Sequence, residues 1–174
     1  MILLLEFLAR KRNSIVGAWL QRIVQGYAES TSRFLMQEQD RFRNPMGHVL
    51  RENLPALFDA LLQGGATVDL EPRLDPIVRM RAVQDFSASQ AVSFVFLLKE
   101  VVRQEARGDR QIDPDGSALA AFESRIDGLA LLAFDLFVRC REQISDIKAN
   151  ELRRKYYIGD RLAARGTDPT KDDS

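Results

Sequence analysis

Apolar residues recur at helical spacing along most of the chain, and stretches with the strict alternation of a half-buried strand are scarce. The clearest helix signal lies in residues 81–106. Ser87 and Gln90 have the spacing of a capping box, in which each side chain satisfies a backbone N–H of the other residue, so a helix is predicted to begin near Ser87. Apolar residues then occupy one broad face of that helix: Ala91, Phe94, Val95, Leu98, Val101 and Val102. A helix with so wide an apolar face belongs in a core.

Three further helices are predicted before this segment. They cover residues 3–28, 44–63 and 69–84, and a short helical turn is expected around residues 34–36. An interior proline removes a backbone hydrogen bond and clashes with the preceding turn. Pro55 therefore predicts a kink or a break within the second of these helices.

The last predicted helix is long. Apolar residues keep helical spacing over residues 126–147, whereas the sequence beyond residue 150 becomes strongly charged. The pattern predicts one domain over residues 1–150 and a charged, partly disordered tail over 151–174, because the tail has too little apolar surface to offset its ordering entropy. The expected fold class is an all-α helical bundle with a long C-terminal helix.

Composition narrows the classes of function. The 174 residues include 25 Lys and Arg and 25 Asp and Glu, so the balanced charge gives no reason to expect a nucleic-acid partner. The apolar run at the start is too short to span a bilayer, and no membrane insertion is expected. Cys140 is the only cysteine, which rules out an internal disulfide and fits a reducing, cytoplasmic location.

A resemblance to a known family follows from several segments taken in order: Trp19 with Tyr27, residues 43–50, residues 54–65 and residues 81–100. Together they resemble the N-terminal domain of the RsbT co-antagonist (RsbRD) family, over roughly residues 3 to 147. The resemblance implies a globin-like all-α domain that lacks haem, dimerises and passes a signal to another protein in bacterial stress signalling. In that family the region leads into an output domain of the STAS type. Since this sequence stops there, the expectation is a stand-alone regulatory module.

The sequence contains few residues that could form a catalytic or metal-binding site. His48 is the only histidine, so one chain can build neither a zinc site with two histidines nor a histidine acid/base pair. Ser87 is explained by its capping role, and no histidine lies nearby in sequence to activate it. The chain is therefore predicted to be no enzyme and to hold no metal or cofactor. The alternative is a globin-type sensor that binds haem or a small ligand through His48, although a lone histidine beside Gly47 is more often a surface or cap residue.

Two groups of side chains are candidates for a binding site. Five aromatic residues could line a pocket or simply fill the core: Trp19, Phe94, Phe96, Phe122 and Phe134. Asp75, Arg79, Arg81 and Asp85 could bind an anion, but their spacing of about one helical turn is typical of a surface ion-pair network. The pair Arg81 and Asp85 could also hold one helix against the next.

The apolar stripe of the last helix predicts a homodimer. A stripe wider than one small domain needs is covered most simply by the same helix of a second copy. The candidate face consists of Ile126, Leu129, Ala130, Ala133 and Phe137. The alternative is that these residues are used up within the core of the monomer. The sequence does not identify the signalling partner.

Overall fold

All regular structure in the described part of the chain is helical. The computed structural model describes the backbone of residues 2–84, 86–113 and 116–166, and the side chains of residues 3–84, 86–113 and 116–157. These residues form seven helices and no strand: α1 (Ile2–Arg10), α2 (Arg12–Gln25), α3 (Glu29–Gln37), α4 (Pro45–Leu62), α5 (Thr67–Val83), α6 (Ala88–Arg107) and α7 (Ser117–Gly166). The predicted all-α fold with a long C-terminal helix is confirmed.

The chain divides into two compact units, Met1–Val138 and Arg139–Ser174. In the second unit α7 continues to Gly166, so the first part of the predicted tail is helical. The described side chains of this unit are mostly exposed, Ile147 and Leu152 among them. Residues 167–174, for which disorder is predicted, lie outside the described residues.

Helix α6 contributes a broad apolar face to the core of the first unit. Its eight buried residues include the six expected from the sequence, and α2 packs against it. The predicted capping box is present: the Gln90 backbone N–H donates to Ser87 Oγ at 3.3 Å, and the Ser87 N–H donates to Gln90 Oε1 at 3.0 Å. Because both bonds use groups that a helix start leaves unpaired, α6 begins at the position that its sequence specifies.

The start of α4 is fixed by Asn44 and Gly47. Asn44 is buried, and its Oδ1 accepts a 2.8 Å hydrogen bond from the Gly47 N–H. Its Nδ2 donates to the carbonyl oxygens of Leu35 at 3.0 Å and Glu38 at 2.8 Å, which ties the preceding loop to α3. A Cβ atom on residue 47 would lie 2.3 Å from Asn44 Nδ2, so this cap requires glycine.

Two helix boundaries differ from the sequence-based expectation. The predicted first helix is divided into α1 and α2 at Lys11, although the Lys11 N–H still donates to the Phe7 carbonyl at 3.0 Å. Conversely, α4 continues through Pro55, so of the predicted kink or break the break does not occur. An interior proline costs about 3 kcal/mol, and burying side chains such as Leu54 and Phe58 stabilises the helix by a comparable or larger amount.

Helices α6 and α7 run antiparallel within the first unit. Arg103 Nη2 donates to Glu123 Oε2 at 2.8 Å, and Lys99 Nζ lies 2.6 Å from Asp127 Oδ1. Residue numbers therefore increase along α6 in the direction in which they decrease along α7. Glu123 is buried, and the hydrogen bond from Arg103 lowers the pKa of its carboxyl group although burial opposes this shift.

We expect Phe94→Ala to lower the free energy of unfolding by about 3 to 5 kcal/mol, because it leaves a cavity in the core. Phe42→Ala is the matched control, since Phe42 is 83% exposed, and it should change stability by less than about 0.5 kcal/mol. Chemical denaturation of both variants measures the difference. Equal effects would show that Phe94 does not lie in a tightly packed core.

We expect Glu123→Gln to destabilise the protein by about 1 to 3 kcal/mol at pH 7, because it weakens a charge-assisted hydrogen bond to Arg103. The pKa of Glu123 is lowered in the folded state, so its contribution is complete above the unfolded-state value of about 4.3 and is lost as the pH falls through the folded-state pKa. The difference in thermal midpoint between the two proteins should therefore shrink from pH 7 to pH 3. A difference that stays constant with pH would contradict this assignment.

Candidate functional site

Helix α5 carries an arginine in its apolar stripe. The buried residues of the helix follow helical spacing: Leu70, Leu74, Ile77, Val78, Arg81 and Ala82. Arg81 is only 5% exposed, although arginine is rarely buried to this extent. The end of α5 therefore places a positive charge inside the first unit.

Three aromatic rings surround the Arg81 guanidinium. Its Cζ lies 4.8 Å from the ring centroid of Phe86, 5.3 Å from that of Phe94 and 5.9 Å from that of Tyr27. Tyr27 and Phe86 also contact each other edge to face, with centroids 5.9 Å apart. We call Arg81 and these three residues the arginine cage. Cation–π contacts of this kind favour a charged guanidinium over the ring faces.

The polar contacts of Arg81 are incomplete. Nη2 donates to the Gln90 carbonyl at 3.2 Å, and Nη1 makes a long 3.4 Å contact with the Tyr27 hydroxyl. Arg81 Nε and the neighbouring Gln84 Oε1 are buried without a hydrogen-bond partner. Burial lowers the pKa of Arg81 and raises the pKa of Tyr27, and the attraction between the two groups acts in the opposite direction for each. An arginine side chain nevertheless remains protonated at neutral pH.

Trp19 connects the cage to α2. Its ring stacks on Phe94 with centroids 6.3 Å apart and an interplanar angle of 13°. Its Nε1 donates a 2.7 Å hydrogen bond to the Phe94 carbonyl oxygen. A buried indole N–H normally requires such a partner. Through Phe94, helices α2, α5 and α6 thus meet at one cluster.

The five aromatic candidates do not form a single pocket. Trp19, Phe94 and Phe122 are fully buried, and Phe122 contacts Phe58 edge to face. Phe96 and Phe134, in contrast, are 46% and 47% exposed. Successive helical residues are rotated by about 100°. The side chain of Phe96 therefore points in a different direction from that of Phe94, and the side chain of Phe134 points in a different direction from that of the buried Ala133.

Two surface cavities lie away from these aromatic residues. A cavity of about 340 Å³ between α4 and α5 includes Asp59 and Arg73, and one of about 260 Å³ includes Leu4 and Ile112. Neither is lined by any of the five aromatic candidates. No cluster of three or more potential metal ligands occurs among the described residues. Within the same residues no helix is long and apolar enough to cross a membrane.

The residues of the candidate dimer face are buried in the core of one copy of the chain. Each of its five residues is buried in the isolated protein: Ile126, Leu129, Ala130, Ala133 and Phe137. Little of their surface is left for a second copy. The exposed apolar side chains of α7 within the first unit are Leu131, Phe134 and Val138.

The charged candidates are separated. Asp75 and Arg79 form an ion pair on the surface of α5, with Arg79 Nε 2.6 Å from Asp75 Oδ2, as the spacing predicts. Arg81 is not part of that surface network, which corrects the prediction, because it lies on the apolar stripe four residues after Ile77. It does hold α5 against α6, through Gln90 and Phe94. Asp85 lies outside the described residues.

His48 lies at the surface of α4. Its side chain is partly exposed, and its Nε2 is 3.2 Å from Glu52 Oε2, one helical turn away. A haem-binding histidine needs instead to face an apolar cavity that is large enough for the macrocycle.

We expect hemin added to the purified protein to give no sharp Soret band that depends on His48, because this side chain faces solvent and Glu52. Absorption spectra of the wild type and His48→Ala, recorded during the same titration, should coincide. A stoichiometric band that is present in the wild type and lost in the variant would instead establish the haem-sensor alternative.

Comparison with known proteins identifies the family. The model of the RsbT co-antagonist protein RsbRD N-terminal domain matches residues 13–152, a range that includes the arginine cage and Trp19. No curated protein and no solved structure matches the chain significantly. The family match covers most of the chain and agrees with the resemblance seen in the sequence. The chain therefore belongs to the RsbRD N-terminal domain family and is a stress-signalling regulatory module.

Proposed function

We propose that this chain is a non-enzymatic sensory module that dimerises and acts through contacts with a signalling partner protein. The single observation that carries the proposal is an exposed apolar surface on α6 and α7. Four residues define this surface, which we call the α6–α7 patch: Phe96, Leu131, Phe134 and Val138.

The ion pairs between the two helices bring the patch residues together. Lys99 on α6 pairs with Asp127 on α7. Phe96 lies one turn before Lys99, and Leu131 lies one turn after Asp127, so in an antiparallel pair they are neighbours on the same side. Phe134 follows Leu131 after three residues and extends the patch along α7.

A second copy of the chain is the occupant that best fits the patch. A helix pair that presents an apolar face can pack against its own symmetry mate to form four antiparallel helices, which is a self-complementary arrangement around a twofold axis. Leu131 is 70% exposed, and burying it together with the two phenylalanines removes a contiguous apolar surface from water.

The second unit offers a different surface for a protein partner. Along its described helix, Leu152, Tyr156 and Tyr157 are exposed next to the basic run 153–155. Tyrosine and arginine side chains are enriched in protein interfaces, and they contribute much of the binding energy there. This combination supports binding of an acidic partner surface and requires no chemical step.

We expect the wild type to be a dimer and Phe134→Glu to be a monomer, because the substitution places two like charges near the twofold axis in a region with little water. Association should weaken by about 2 to 5 kcal/mol. Sedimentation equilibrium at several concentrations measures this change, and far-UV circular dichroism should stay unchanged since Phe134 is half exposed.

Two further variants make the test specific. Val68→Glu adds the same charge to a residue of α5 that is 75% exposed, and it should leave the dimer intact. Ala133→Glu puts the charge into the core of the monomer and should unfold the protein rather than dissociate it. A wild type that sediments as a monomer at high micromolar concentration would refute the dimer. Equal dissociation by Val68→Glu would refute the placement of the dimer contact on the α6–α7 patch.

A further inference from the structure

Helices α4 and α5 leave a cavity of about 340 Å³ between them, within the first unit. Three of its lining residues are apolar with short or ring-closed side chains: Ala56, Ala60 and Pro72. The two helices nevertheless pack against each other, and Leu61 of α4 and Leu74 of α5 are buried. Short side chains between packed helices leave a gap that longer ones would fill. The cavity is therefore a preformed feature of the fold, and its volume lies in the range of small-molecule sites.

Charged side chains form the rim of this cavity. Asp59 lies on the α4 side, and Asp69 and Arg73 lie on the α5 side. Asp59 is engaged by α2, since Arg12 Nε donates to its Oδ1 at 2.6 Å and Arg12 Nη2 donates to its Oδ2 at 2.7 Å. The hydrogen bond from Arg12 lowers the pKa of Asp59, burial opposes this shift, and the positive charges of Arg12 and Arg73 add to it. The guanidinium of Arg73 is thus close enough to act on the α4 side of the rim.

Asp69 and Arg73 lie one helical turn apart on α5, but they do not pair with each other. The same spacing occurs further along the helix at Asp75 and Arg79, where the two side chains form an ion pair with Nε 2.6 Å from Oδ2. Asp69 and Arg73 are both described and exposed, and they form no such pair with each other. Four residues of an α-helix span about 6 Å. A carboxylate and a guanidinium therefore border one cavity at this separation along the helix.

We propose that this cavity is a binding site for a small zwitterion, an α-amino acid with an apolar side chain. The carboxylate of the ligand pairs with Arg73, its ammonium group pairs with Asp69, and its side chain lies against Ala56, Ala60 and Pro72. Arginine suits this role, because two of its N–H groups can donate to both oxygens of a carboxylate. An α-amino acid carries its two opposite charges on neighbouring groups, so a single small molecule can bridge two side chains one turn apart.

The balance of charge at the rim favours a zwitterion over a simple anion or cation. Arg12 and Asp59 compensate each other, which leaves Arg73 and Asp69 as one cation and one anion among the lining residues. A ligand with a single charge would gain one partner and lie beside one like charge. The site is contained in one copy of the chain, so it goes beyond the proposed function and does not depend on dimerisation.

L-Leucine is the probe that tests this site, and isocaproate and isoamylamine are its matched controls. Both controls keep the isobutyl group, but isocaproate lacks the ammonium group and isoamylamine lacks the carboxylate. Titration of the full chain with L-leucine should shift the backbone amide NMR signals of residues 56–63 and 67–73 until the site is saturated. Each control should bind at least about tenfold more weakly, because it loses one charge-assisted contact.

Crossed substitutions separate recognition of the ligand from an effect on the fold. Arg73→Gln should weaken binding of L-leucine by roughly tenfold but leave isoamylamine unaffected, since that amine has no carboxylate. Asp69→Asn should weaken L-leucine by a similar factor and leave isocaproate unaffected. Ala60→Leu fills the cavity and should abolish binding of all three compounds, with circular dichroism as the check on folding. Arg79→Gln is the matched control, because Arg79 lies on the same helix outside the cavity, and its affinity for L-leucine should equal that of the wild type.

Specific outcomes would overturn the site. One is the lack of a saturable shift up to tens of millimolar L-leucine, and another is binding that survives both Arg73→Gln and Ala60→Leu. Binding of isocaproate as tight as that of L-leucine would refute a zwitterion as the ligand. Dimerisation is measured without the amino acid, using Phe134→Glu, so failure of this site and failure of the proposed function give different results.

Discussion

The hydrogen bond from Trp19 Nε1 to the Phe94 carbonyl oxygen is the constraint on which the first unit depends. It joins α2 to the first half of α6, and the same two residues also stack their rings on each other. With α6 held in this way, Phe94 faces the end of α5 and supplies one side of the arginine cage. Phe94 thus takes part in both the Trp19 contact and the arginine cage, so a shift of this residue would disturb both.

Local signals made much of the fold predictable from the sequence. The start of α6 depends on Ser87 and Gln90 alone, and the cap of α4 depends on Asn44 and the glycine three residues later. Both features are decided within one turn of helix. The continuity of α4 through Pro55 could not be predicted in the same way, because burial against distant helices outweighs the local cost of the proline.

The candidate site was less predictable for the same physical reason. Arg81 occupies a position of the apolar stripe, but an arginine at such a position is ordinarily assigned to the surface. Its burial depends on rings contributed by three separate segments, at Tyr27, Phe86 and Phe94. Phe96 and Phe134 were candidates for the pocket or core, but both are about half exposed. On a helix with a broad apolar arc, the sequence does not determine which edge of the arc faces the core and which faces solvent.

The separation of Trp19 from its partner in α6 also has a consequence for synthesis on the ribosome. The two residues are 75 positions apart, so at a usual elongation rate Trp19 waits roughly 4 to 15 s before Phe94 has been made. The hydrogen bond from Arg125 Nη1 to the Leu61 carbonyl oxygen, at the end of α4, joins residues 64 positions apart and forms later still. During this interval the N-terminal helices can pack against one another, but α2 and α5 lack the cover that α6 gives them in the folded protein. The core of the first unit is therefore completed only after the second half of the chain has been synthesised.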